Sequence, residues 1–339
     1  MESDAVPLYV VGLTYNLKKG IASEVEDLEA EYDDISTVHA IRDSLKKAGL
    51  KVELIEADEN IFYRLQDAKP DIVFNIAEGL RGRGREAQIP AILTHCGIPF
   101  TGSDETTLCI ALDKALTKRL LASYRIKTPR YKVIDGVNTG SIRNFNFPLI
   151  VKPNAEGSSK GISEHAIVKN PEELKRQVRM EYEAYGQQLL VEEFIRGREF
   201  TVGIIGNGSE TRVLPPMEIV YNDKNSKNNI YSYNVKKNYE KYVTYVCPPD
   251  LDKKLLDKIE RTSGKIYEVL QCKDFSRIDF RMDEKGELYF IEINPLPGLA
   301  PGYSDYPMLA GFSGIGYNEL ILMILNSALK RYGMKTVNV

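Results

Sequence analysis

Arg277-Ile-Asp-Phe-Arg-Met-Asp-Glu-Lys-Gly-Glu-Leu-Tyr-Phe-Ile-Glu-Ile-Asn-Pro-Leu-Pro-Gly298 alternates through its first six residues. Arg277, Asp279 and Arg281 share one face; Ile278, Phe280 and Met282 share the other. Period-two alternation marks a strand with one covered face. Asp283-Glu284-Lys285-Gly286 has turn chemistry, and residues 288–294 read as the returning strand. With 284–287 as the loop, Asp279 falls opposite Glu292 and Arg277 opposite Asn294, all on one face. Two carboxylates side by side repel unless a cation lies between them. Hard oxygen donors suit Mg²⁺, which completes its shell with water and substrate phosphate. The competing reading is a solvated face balanced by Arg277 and Arg281. Pro295 and Pro297 stop the strand just past Asn294, where a site at a strand end needs it to stop, so the nucleotide–metal reading is preferred.

Moving outward, Phe147-Pro-Leu-Ile-Val-Lys152 reads as a strand ending in a lysine. The loop that follows carries Gly157, Gly161 and the serines 158 and 159, whose N–H groups can fold over a triphosphate. The chain then returns to a strand, whereas a P-loop feeds a helix, so a plain hairpin loop stays open beside a phosphate lid. Pro171, capped by Asn170, starts a helix with Leu174, Val178 and Tyr182 on its buried face. Residues 189–195 and 199–205 read as strands around an Arg196-Gly197 turn. There backbone groups suit an adenine edge and Glu199 the ribose hydroxyls; for Glu192 and Glu193 a pair of carboxylates on a sheet edge is the alternative. Residues 221–245 are rich in lysine and tyrosine and weakly periodic, a lid or a surface loop. Residues 252–270 and 318–332 read as helices.

Toward the N-terminus, residues 8–13, 52–55 and 72–76 are apolar strand candidates, with a helix through Val38, Ile41 and Leu45 between the first two. This order suggests a parallel α/β unit, whose ligands gather at the carboxyl ends of the strands. There Glu78-Gly79-Leu80-Arg81-Gly82-Arg83-Gly84-Arg85 offers three glycines and three arginines before a helix over 86–95, an anion cradle or a surface loop. Residues 24–34 are acidic without periodicity, and a helix from Ser103 or Asp104 to about Ser123 carries Lys114.

A chain of 339 residues exceeds what one hydrophobic core serves, so two or three domains are expected. A net charge of −3 gives no support to nucleic-acid binding, and no apolar run approaches the ~20 residues of a membrane span. Four cysteines without Cys-x-x-Cys spacing point to reduced thiols in a cytoplasmic protein, and three scattered histidines argue against a zinc site.

Lys152-Pro-Asn-Ala-Glu-Gly-Ser-Ser-Lys-Gly, Val-Glu-Glu-Phe-Ile-Arg-Gly-Arg-Glu-Phe, Arg-Ile-Asp-Phe and Glu-Ile-Asn-Pro-Leu-Pro-Gly occur in this order. The ordered set resembles the D-alanine–D-alanine ligases of the ATP-grasp superfamily, and Gly97-Ile-Pro-Phe-Thr-Gly-Ser with the Leu-Asp-Lys114 helix extends the likeness over nearly the whole chain. The resemblance implies an α/β fold of three domains, with ATP between the second and third. These are a substrate domain over 1–101, a central domain with the phosphate lid over 102–195, and a domain with the metal site and tyrosine-rich lid over 196–339. It implies Lys114 and Lys152 on phosphates, Ser158 and Ser159 in the lid, Glu192 with the backbone of Glu193, Phe194 and Ile195 at adenine, and Glu199 at ribose. Asp279, Glu292 and Asn294 would carry Mg²⁺, two ions by the resemblance and replaceable by Mn²⁺. Arg277 would stabilise the tetrahedral intermediate, Lys236 would reach the γ-phosphate, and Ser158 completes the catalytic set. Glu78, Arg85, Lys237, Gly298 and Tyr303 would border the amino-acid pockets.

The departures fall on those pockets. Such ligases carry a Glu-Val-Ser element after the first strand, where this chain has its acidic segment. The family's His-Gly appears as Glu78-Gly79, Lys237 stands where a specificity tyrosine is common, and Tyr303 falls near the serine that contacts the second substrate's carboxylate. The implied activity is an ADP-forming carboxylate–amine ligase acting through an acylphosphate. Alternatives are a related ligase joining a different amino acid to a metabolite carboxylate, toward which Arg81, Arg83 and Arg85 hint, and a non-catalytic nucleotide-binding module. Small-molecule amino-acid or carboxylate substrates are the expected partners, without nucleic acid or membrane, and a homodimer is compatible.

Overall fold

A computed structural model describes residues 8–20, 27, 29–157, 160–162, 166–222 and 230–338. The three apolar N-terminal runs form a parallel three-stranded sheet in the order Lys51–Glu56, Val10–Tyr15, Ile72–Asn75. Between its first two strands the helix Ile35–Lys47 buries Val38, Ile41 and Leu45 completely. Their core continues into the C-terminal helices Asp305–Phe312 and Tyr317–Arg331, so the chain's end packs back on its beginning. A four-stranded antiparallel sheet runs in the order Tyr131–Ile134, Leu189–Glu193, Leu149–Pro153, Ile167–Val168, backed by Leu174 and Val178 of the helix Pro171–Tyr185. The third, six-stranded sheet runs in the order Val243–Val246, Met217–Tyr221, Arg198–Ile205, Phe275–Met282, Leu288–Asn294, with Arg212–Val213 also paired to Arg198–Ile205. Its covered face buries Ile278, Phe280 and Phe290 against Ile259, Ile266 and Tyr267 of the helix Lys253–Val269.

The stretch read as one helix over 103–123 is two. Asp104 accepts the Thr107 N–H to start Glu105–Leu112, and Asp113 accepts the Leu116 N–H to start Lys114–Ser123. Asp113 takes an extended conformation between them. It is held there by Asn154, whose Nδ2 donates to Asp113 while its Oδ1 receives the Ala115 N–H. An aspartate that bonds its own backbone two or three residues on competes with the helix ladder and restarts it. The break puts Lys114 on the first turn of a new helix, facing the hairpin. Asp104→Ala is expected to lower unfolding free energy by about 1 kcal/mol, read from denaturant midpoints.

The hairpin register at the site matches the sequence reading: Asp279 pairs with Glu292 and Arg277 with Asn294. It gets there by a different route. The turn spans five residues, 283–287, with Met282 opposite Leu288, and a bulge between Asp279 and Phe280 shifts the pairing by one. Asp283 closes the turn, its Oδ1 accepting the N–H groups of Lys285 and Glu287.

Candidate active site

Two cavities meet at Arg277 and Lys236, which line both. One lies between the four- and six-stranded sheets and is lined by Lys152, Glu192, residues 193–195, Glu199, Asp279, Arg281 and Glu292. The other opens beside the parallel sheet and is lined by Glu31, Asp33, Glu78, Glu86, Asn294, Gly298 and Tyr303.

The charges around the first cavity are paired in a chain. Arg277, 9% exposed, donates from Nε and Nη2 to the two oxygens of Asp279 at 3.1 and 2.9 Å, and Nη1 lies 3.5 Å from Asp305. Lys114 Nζ lies 3.4 Å from Glu292 and donates to the carbonyl of Glu156. Lys152 Nζ lies 2.6 Å and Lys118 Nζ 3.1 Å from the two oxygens of Glu192. Burial works against the charge of Glu192, yet the two lysines hold its carboxyl below the ordinary range. For Glu292 burial is likewise outweighed, and Lys114, Lys152 and Arg277 hold it at about 2. Asp279 goes the other way: burial raises it despite Arg277. Burial lowers Lys118 to about 8 and lowers Lys236 as well. At the rim of this cavity Arg281 donates to Glu199 at 2.8 Å and to the carbonyls of Ile195 and Gly197, and Tyr221 donates to Glu199 at 2.7 Å.

Around the second cavity the acidic segment supplies the walls. Glu31 accepts from Arg85 at 2.5 Å and from the Gly157 N–H at 2.5 Å, joining the N-terminal unit to the loop that follows Lys152. Asp27 accepts the Gly161 N–H at 2.8 Å and the Tyr185 hydroxyl at 2.7 Å. In the tyrosine-rich stretch Tyr231, which lines the first cavity, shares a 2.6 Å hydrogen bond with Tyr245 and also donates to Asp305. Lys236 sits on the short helix Tyr233–Lys237.

Comparison with known proteins now bears on this geometry. Residues 127–326 match the family model described as D-ala D-ala ligase C-terminus. A D-alanine–D-alanine ligase of Aquifex aeolicus is 34% identical over 297 residues, covering 86% of this chain and 94% of that protein. The chain belongs to the D-alanine–D-alanine ligase family. An uncharacterized protein of Sinorhizobium fredii is 32% identical over 297 residues, covering 85% and 86%. The crystal structure of a D-alanine–D-alanine ligase from Bacillus anthracis complexed with ATP superposes with a TM-score of 0.75 over 96% of this chain and 99% of that one, at 22% identity, which speaks to the fold. Family membership makes the protein an ATP-dependent ligase with the ATP-grasp fold.

Set against the residues expected of such a ligase, Lys152, Glu192, Glu193, Phe194, Ile195, Glu199, Lys236, Arg277, Asp279 and Glu292 all line the first cavity. Lys114 stands behind Glu292. Asn294, Glu78, Gly298 and Tyr303 line the second. Ser158 and Ser159 lie outside the described residues. Three readings change. Glu192 holds its carboxylate between Lys118 and Lys152, so its side chain braces the lysines. Arg85 is not an anion ligand: it is buried on Glu31, Glu156 and the Ala155 carbonyl, while Arg83 lies 3.4 Å from Asp113. Of the three arginines behind the hint of a more anionic substrate, Arg85 and Arg83 are thus already beside carboxylates. Lys237 is exposed and lines neither cavity, since neighbouring helix positions diverge by about 100° and Lys236 takes the inward one. Sequence reading missed Glu31, Glu86, Lys118 and Asp305. Only Lys118 left a trace, four residues from Lys114 and hence on the same helix face.

Proposed function

We propose that this ligase forms an amide bond between a carboxylate and an amine in two steps within the joined cavities, working inside the cell, where its four free thiols stay reduced. The meeting of an acidic cavity with a lysine-rimmed one at Arg277 and Lys236 carries the reading. ATP occupies the cleft between the sheets, its base along the backbone of residues 193–195 and its ribose toward Glu199. A substrate carboxylate takes the γ-phosphoryl group to give an acylphosphate and ADP, the amine attacks the activated carbonyl, and phosphate leaves. Lys152 and Lys114 spread the phosphate charge, Lys236 reaches the transferring group, and Arg277 stabilises the oxyanion of the tetrahedral intermediate. Glu31, one of three acidic-segment carboxylates lining the cavity beside Asp33 and Asp34, receives the amino group of the first substrate.

The residues present fit a metal of the kind this chemistry uses. Asp279 and Glu292 oppose each other across the hairpin with Asn294 on the same face, an all-oxygen donor set suited to Mg²⁺. The Asn294 Nδ2 is buried without a partner among the described residues, and reversing the amide turns its oxygen to that position instead. Bound there, the ion would neutralise phosphate charge.

A phosphate-release screen across D- and L-amino acids with ATP tests the activity; amino-acid-dependent release is expected, and silence with every acceptor removes the ligase reading. D-alanine is the first acceptor to try, since it is named in relatives such as the Aquifex aeolicus ligase. Arg277→Lys, which keeps the charge but loses the planar fork, is expected to lower kcat by about a hundredfold with a smaller change in KM. An unchanged kcat would assign Arg277 to structure alone.

A further inference from the structure

The acidic cavity holds more negative charge than one ammonium group requires. Carboxylate oxygens of Glu31, Glu78 and Glu86 lie within 4.8 Å of one another. The nearby cations are already engaged. Arg85 is bound to Glu31 and Glu156, Lys160 lies 2.9 Å from Glu156, and Lys18 lies 3.1 Å from Asp34. Glu86 is 8% exposed, lines the cavity, and has no hydrogen-bond donor among the described residues. Two carboxylates held together out of water are costly unless a cation joins them.

The loop that carries them is built to hold them there. Glu78 follows the strand Ile72–Asn75 at its carboxyl end, the edge of a parallel sheet where ligands gather. Gly79 has φ +78°, and a Cβ there would stand 2.1 Å from the Arg85 carbonyl, so only glycine lets Glu78 close against the start of the next helix. Gln88 fastens the loop from inside, accepting the Leu80 N–H at 3.0 Å and donating to the Arg81 carbonyl at 2.8 Å. At the opposite end of the same cavity stand Arg277 and Lys236. The cavity is thus polarised, attracting anions where it joins the nucleotide cleft and cations at its far wall.

We propose that the first amino-acid substrate carries a second cationic group besides its α-ammonium, a diamino or guanidino acid, with the second cation seated between Glu78 and Glu86. The inference rests on the ligase reading for the α-ammonium at Glu31 and for the carboxylate facing Arg277. It explains why a carboxylate, Glu78, stands where the family resemblance leads to a histidine.

Calorimetric titration of the nucleotide-free protein tests it without requiring turnover. The ligands are both enantiomers of 2,3-diaminopropionate, 2,4-diaminobutyrate, ornithine, lysine and arginine, with alanine as reference. At least one is expected to bind ten or more times tighter than alanine, and Glu78→Gln and Glu86→Gln are each expected to shrink that preference by tenfold or more. Both replacements are nearly isosteric, and circular dichroism confirms folding. Binding of alanine as tight as that of any dibasic acid, or an undiminished preference in both variants, overturns the proposal. So does binding of Mn²⁺ to the nucleotide-free protein that Glu86→Gln abolishes, since the cluster would then hold a metal. The phosphate-release screen is scored separately. Release with neutral amino acids at kcat/KM equal to the dibasic ones overturns this inference and leaves the ligase standing, whereas no release with any acid overturns the ligase.

Discussion

Asp279→Asn combined with Glu292→Gln lowers the rate of ADP formation by at least about a thousandfold while the protein still folds and still binds nucleotide. Each replacement keeps the shape of its side chain and removes one negative charge, so the hairpin packing on Ile278, Phe280 and Phe290 is untouched. What changes is the balance of charge. Glu292 is the counter-ion of Lys114, and Asp279 that of Arg277. Without them the cleft keeps Lys114, Lys118, Lys152, Lys236 and Arg277, which attract a triphosphate at least as well as before. The acceleration of the transfer step depends on fixed charges placed around the moving phosphoryl group, and removal of one such element costs about a hundredfold or more. The outcome is therefore a split: binding of a fluorescent ATP analogue persists, and turnover in a coupled ADP assay is lost. Wild-type turnover in the double variant would remove these two carboxylates from the catalytic machinery and the metal assignment with them.

The site was readable where it is made of one local pattern and unreadable where it is made of distant pieces. The hairpin alternation identified the face that carries Arg277, Asp279, Glu292 and Asn294, because sheet periodicity leaves a signature in a single strand. Even so the loop was read one residue short. The observed bulge between Asp279 and Phe280 restores the pairing, and no residue pattern announced it. The ordered motifs pointed to the ATP-grasp fold, which the family match bears out. Lys118 was passed over in the sequence. Its complete burial follows from Glu192, which reaches it from a strand more than seventy positions away. Arg85 misled for a related reason. An arginine in a glycine-rich loop suits an anion equally well whether that anion is a ligand or Glu31, and only the fold brings Glu31 across. Segment 24–34 has neither helical nor strand period, so nothing in the sequence said which carboxylate turns inward.

That acidic wall leads to the second large effect. Glu86→Gln is expected to stabilise the ligand-free protein more at pH 8 than at pH 4, by about 3 kcal/mol in the difference. Burial is the main reason the Glu86 carboxyl rises from 4.5 to about 7, and repulsion from Glu31 adds to it; Arg85 and Lys114 pull down, and Glu156 pushes up again. Glu78 faces it with the same tendency, raised by burial and by Glu86 and Glu31, lowered by Arg85 and raised again by Asp33. A carboxyl whose folded value exceeds its unfolded one binds protons more tightly in the native state. Its stabilising contribution is complete below about pH 4.5 and is lost as pH rises through about 7. Glutamine has no proton to lose and escapes that decline. Residues such as Glu292, which titrates near 2, move the absolute stability of both proteins alike and cancel in the comparison. Chemical denaturation of both proteins at pH 4, 6 and 8 reads the difference directly. A gap that stays constant with pH would mean that Glu86 keeps its charge in the folded state, compensated by a cation that the cavity already contains. A gap that opens with pH, and closes when a dibasic amino acid is added at pH 8, would tie the titrating carboxylates to the ligand they are arranged to receive.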